Sequence, residues 1–141
     1  MIDRALVRLI AIATLLSLGH TADHAIRDNL RWPSPELGAF VGVSLVIYGA
    51  IGLGLYLYVR GKVGPRFWTV FAIAALLFGW VAHFSPFTDQ PPAYILGSYN
   101  YSLGGWVALG VLVALMLVMA LAGAYAAYLW RRGIAPAKRN R

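Results

Sequence analysis

The chain has 141 residues, of which 60% are hydrophobic and only 12% charged, with a mean hydropathy of +0.69. A soluble domain is nearer half apolar and a quarter charged, so the composition places this chain in the membrane class. It contains no cysteine, which excludes disulfides, thiolate metal sites and thiol catalysis. The net charge of +7 does not point to nucleic acid. The basic residues sit at the ends of apolar runs, and no aromatic-basic interleaving appears.

The first apolar run is Ala5 to Gly19, with Arg8 one turn in. It is short for a span of about 20 residues. Arg4 and Arg8 can snorkel to the near interface while the helix continues into the polar stretch that follows. The order basic-then-apolar also fits a secretory signal peptide. Cleavage after Ala22 or Ala25, however, puts a histidine or an aspartate at the third position before the cut. In the next loop Ser34 suits an N-cap, Pro35 the first helical position and Glu36 the positive end of the helix dipole.

Leu37 to Val59 carries no charge and reads as a second span. It holds Gly38, Gly42, Gly49, Gly52 and Gly54, and Gly38 with Gly42 forms a small-xxx-small pattern that permits close helix contact. A tight basic turn, Arg60 to Arg66, leads to a third span, Phe67 to Phe84, with His83 at its far end. Ser85 to Ser102 is the longest loop, with Asp89, Pro86, Pro91, Pro92, Tyr94, Tyr99 and Tyr101. Such a loop lies at the membrane interface or caps a helix bundle. Leu103 to Trp130 is a long fourth span that is tilted or overhangs the bilayer. Tyr56, Tyr58, Trp68, Trp80, Trp106 and Trp130 mark interfaces. The expected fold is therefore an all-α bundle of four transmembrane helices, at about 4–28, 36–60, 66–84 and 102–130, forming one domain over 1–130. A basic cytoplasmic tail, 131–141, follows.

Lysine and arginine set an orientation. Arg4, Arg8, Arg60, Lys62, Arg66, Arg131, Arg132, Lys138, Arg139 and Arg141 fall on one side; of the 12, only Arg27 and Arg31 fall on the other. The positive-inside rule then predicts both termini in the cytoplasm and a location in the cell's inner membrane. On this topology His20, His24 and His83 share the outer side with Asp23, Asp28, Glu36 and Asp89.

The candidate site is the stretch Ser17 to Arg31, where the first helix runs out. Ser17, His20, Asp23, His24 and Arg27 recur at steps of three and four, which keeps them on one helix face. His20 and His24 at i, i+4 form a chelating pair. Asp23 is a candidate third ligand or a carboxylate that fixes a histidine tautomer. His83 completes the set from another helix. Imidazole with carboxylate suits copper, zinc or iron. Two histidines from different helices also suit haem, with Arg27 or Arg31 pairing a propionate or another anion.

Competing readings are an interfacial hydrogen-bond network that ends the helix, and acid–base catalysis in which Tyr99 or Tyr101 works with a histidine or Asp23. His20 lacks the following glutamate of a zincin motif. Ser17, His20 and Asp23 occupy successive turns of one helix, which is not the geometry of a hydrolase triad, and there is no G-x-S-x-G elbow. No charged residue lies mid-span in the last three helices, which argues against a conduction path.

The expected function is a small inner-membrane protein holding a metal ion or haem at its outer face. It would serve redox or metal handling as a subunit of a larger membrane complex or a homo-oligomer. Two alternatives follow from other features. One is a cofactor-free accessory subunit that docks a partner through its glycine-rich second helix. The other is a small membrane enzyme acting on a lipophilic substrate.

Overall fold

The computed structural model describes residues 2–27 and 35–133. Five helices follow in order: α1 (Arg4–Arg27), α2 (Pro35–Val59), α3 (Pro65–His83), α4 (Pro92–Ser98) and α5 (Leu103–Arg131). Among the described residues there is no strand. Four helices are long and apolar enough to cross a membrane. With 24, 25, 19 and 29 residues, they reach about 36, 38, 28 and 44 Å. Against a hydrocarbon core of about 30 Å, α5 must tilt or protrude. Large apolar side chains face outward, among them Leu45, Val46, Leu77 and Leu117. They are the surface a bilayer solvates, because lipid requires every backbone group to be paired within a helix and every outward side chain to be apolar. The chain is an all-helical membrane bundle.

Local chemistry sets the helix ends. Asp3 accepts the Leu6 amide on Oδ1 at 2.9 Å, capping α1, and accepts the Tyr125 hydroxyl on Oδ2 at 3.1 Å, tying α1 to α5. The α2 helix closes in a Schellman turn. The Lys62 amide donates to the Leu57 carbonyl at 2.8 Å and the Gly61 amide to that of Tyr58 at 3.0 Å. Gly61 takes φ 69° there, a left-handed conformation that favours glycine. The α3 and α4 helices both start at proline, whose missing N–H costs nothing in the first turn.

The hub is α5, which packs against α1, α3 and α4, while α2 touches α1 more sparingly. The α3–α5 contact is close: a Cβ on Gly123 would lie 2.9 Å from the Ala72 Cβ. Small residues permit that approach where no hydrophobic force drives helices together. One core cluster, around Leu6, Tyr58, Trp68, Ala126 and Leu129, lies at the end with the 60–66 turn. The other, Ile95 with Ala108 and Leu112, lies beneath α4.

The stretch read as the longest loop, Ser85 to Ser102, contains α4. Pro91 caps it, Pro92 opens it, and Ile95 is fully buried against α5. The Ser34 cap, Asp28, Arg31 and residues 134–141 of the basic tail lie outside the described residues, as does the Glu36 side chain.

Candidate metal centre

The last two turns of α1, the final residue of α3, and α4 with its flanking turns meet at one end of the bundle. His20 and His24 stack one turn apart on α1, and α3 delivers His83 against them. Ring centroids are 4.7 Å apart for His20–His24, 4.9 Å for His20–His83 and 5.5 Å for His24–His83. One ligand atom from each of the three lies within 4.8 Å of the others. His20 Nε2 and His83 Nε2 are 3.1 Å apart. Two imidazole nitrogens on one tetrahedral ion, each about 2.0–2.1 Å from it, stand about 3.3 Å apart. The pair is thus near ligating separation.

Each ring is held by a partner. His83 is 4% exposed, and its Nδ1–H donates to the Gln90 backbone carbonyl at 3.2 Å. A carbonyl can only accept, so the His83 proton is on Nδ1 and the Nε2 lone pair faces His20. His20 Nδ1 is buried without a hydrogen-bond partner. The His24 ring lies 6.1 Å from that of Phe40 on α2, and its Nδ1 is 3.2 Å from Nη2 of Arg27.

Asp23 and Arg27 are both buried and form an ion pair, Arg27 Nε to Asp23 Oδ2 at 3.3 Å. The other carboxylate oxygen accepts the Tyr99 hydroxyl at 2.7 Å. The Arg27 guanidinium also reaches Gln90 Oε1 at 3.5 Å and lies 5.2 Å from the Tyr94 ring centroid. Burial of such a pair is tolerable because the remaining lone pairs and protons are satisfied. The carboxylate therefore faces Arg27 and Tyr99, one step outside the imidazole cluster.

The turn carrying Tyr99 is built for this reach. The α4 helix ends in a second Schellman turn, Tyr101 N–H to Leu96 O at 2.9 Å and Asn100 N–H to Gly97 O at 2.9 Å. Asn100 and Tyr101 have φ of 51° and 54°. Asn tolerates the left-handed region; a tyrosine there stores strain that surrounding packing must hold.

The sequence-predicted residues separate cleanly. His20, His24 and His83 converge, with Asp23 and Arg27 beside them. Ser17 turns away: its Oγ is 3.2 Å from Tyr48 Oη on α2, which also meets Thr21 Oγ1 at 2.7 Å. Asp89 and Tyr101 are exposed, and of the loop tyrosines Tyr99 is the one bound to Asp23. Gln90 went unnoticed in the sequence, and Tyr94 was named there without a role of its own. Gln90 works on His83 through its backbone carbonyl, which no residue type signals. Tyr94 had only its place among loop aromatics. No protein-family model, curated protein or solved structure matches the chain.

Proposed function

We propose that this protein binds a single transition-metal ion through His20, His24 and His83, and serves metal handling or redox work. It does so at the outer face of a cell's inner membrane, both termini being cytoplasmic. The observation that carries this reading is the meeting of three imidazoles from two helices within 4.8 Å. Three nitrogen ligands in a cysteine-free chain suit zinc, copper or iron. Asp23 acts as the orienting carboxylate through its bonds to Arg27 and Tyr99.

An ion fits this cluster better than haem. Bis-histidine haem needs two imidazoles on opposite faces of a porphyrin, separated by the iron and the ring plane. Here the His20 and His83 nitrogens are 3.1 Å apart and the third ring fills the flank. The orientation rests on the lysine and arginine asymmetry along the sequence.

The test is elemental analysis of detergent-purified protein beside a His20→Ala/His24→Ala variant. Near-stoichiometric metal, lost in the folded variant, is the expected result. Equal metal in both, or none in the wild type, refutes the reading.

A second reading is favoured by α2. A Cβ on Gly38, Gly42, Gly49 or Gly52 would meet nothing within 4 Å, so that face is open to a neighbouring membrane helix. On this reading Gly42→Leu abolishes co-purification of a partner while the histidine variants leave it intact.

A further inference from the structure

His24 cannot bind an ion while its bond to Arg27 stands. A guanidinium has N–H donors and no acceptor. The 3.2 Å contact between Arg27 Nη2 and His24 Nδ1 therefore makes Nδ1 the acceptor, and neutral His24 carries its proton on Nε2. The Nδ1 lone pair is engaged by Arg27, and protonated Nε2 has none to give. Coordination through Nδ1 requires the ion to displace the guanidinium. Coordination through Nε2 requires the proton to move to Nδ1, where it would point at an N–H. Either route breaks the Arg27–His24 bond.

His83 is poised in the opposite sense. The Gln90 carbonyl takes its Nδ1 proton, so the Nε2 lone pair accepts His20 Nε2–H at 3.1 Å. This is a bond between neutral groups, in which an ion takes the place of the shared proton as that proton passes to His20 Nδ1. Arg27, for its part, does not depend on His24 for its place. Asp23 Oδ2 at 3.3 Å one turn back on α1, and Gln90 Oε1 at 3.5 Å and the Tyr94 ring from beyond α3, hold it.

We infer that Arg27 is a latch on the third metal ligand. The ion first meets the His20–His83 pair, and His24 joins only as Arg27 withdraws onto Asp23 and Gln90. This inference rests on the metal reading and specifies its kind. An affinity held down by an internal competitor suits a site that takes up and releases its ion as cargo, rather than one that keeps a permanent cofactor.

The latch is removed together with its counter-charge in Arg27→Met/Asp23→Asn, which leaves no unpaired buried carboxylate. Zn²⁺ affinity of the full chain in detergent is measured by competition with a chromophoric chelator. The expected change is roughly tenfold tighter binding, the scale of one charge-assisted hydrogen bond. The same pair of substitutions in a His24→Ala background should change nothing, since the latch acts only through His24. Weaker binding, or an equal gain without His24, overturns the latch. Imidazole ¹⁵N spectra of the metal-free wild type provide the independent arm. They should show His24 unprotonated at Nδ1, and a protonated Nδ1 overturns the latch whether or not Zn²⁺ binds. Failure of Zn²⁺ to bind the wild type sinks the metal reading itself, and the cargo role with it.

Discussion

Replacing Gly105 by alanine tests whether the turn after α4 is packed as tightly as the site requires. Gly105 is buried at the start of α5. A Cβ there would stand 3.2 Å from the Leu96 Cα, 3.2 Å from the Tyr99 Cβ and 3.3 Å from the Leu96 carbonyl oxygen. Comfortable carbon contacts fall at about 3.5–4.0 Å, so the α4 backbone must retreat by about 0.3 Å. It is backbone rather than a flexible side-chain tip that blocks the methyl, and α4 is anchored by Pro91, Pro92 and its Schellman turn. Overpacking of this kind costs about 1–3 kcal/mol. Gly110→Ala on the same helix is the control, because a Cβ there meets nothing within 4 Å, and alanine should be neutral or better. Unfolding in mixed detergent with increasing SDS, followed by far-ultraviolet circular dichroism, should place Gly105→Ala about 2 kcal/mol below Gly110→Ala. Metal retention should fall alongside, because the shift pulls Tyr99 from Asp23. Equal stability of the two variants would refute the close-packing argument and with it the account of how Tyr99 is positioned.

Tyr99→Phe deletes one hydroxyl and leaves the buried Asp23 carboxylate short of a donor. The expected loss is about 1.5–3 kcal/mol by the same unfolding assay, the range for a hydrogen bond to a charged group; no loss would mean water replaces the hydroxyl. Topology can be read with single cysteines, since the chain has none of its own. In intact cells a membrane-impermeant maleimide should label Asp89→Cys and spare Lys62→Cys, and the reverse pattern would put the histidines on the cytoplasmic side.

The spans were legible in the sequence because lipid imposes a local requirement. A helix crossing hydrocarbon must pair its own backbone and show apolar side chains to the lipid, so α2, α3 and α5 announce themselves within their own residues, while the short apolar run of α1 had to be extended into its polar end. The helix face joining His20, Asp23, His24 and Arg27 was legible for the same reason, since 3.6-residue periodicity is a property of one segment. The α4 helix was missed although its signal was present. Pro92 stands at a first helical position, but the four apolar-aromatic residues that follow it, Ala93 to Leu96, also read as an interfacial loop.

What only the tertiary structure decided is who meets whom. His83 reaches His20 across 63 residues and Tyr99 reaches Asp23 across 76. No pattern within either segment records the crossing of α1 with α3 or the turn that aims Tyr99. Apolar helices can pack in many ways; close approaches such as Gly123 to Ala72 and Gly105 to α4 select one. The roles of the polar residues follow from that choice. Spacing along one helix face offered Asp23 to a metal or to a histidine ring, and Arg27 to an anion. Packing instead set them against each other, with Arg27 on His24, because a buried charge takes the nearest partner that satisfies it.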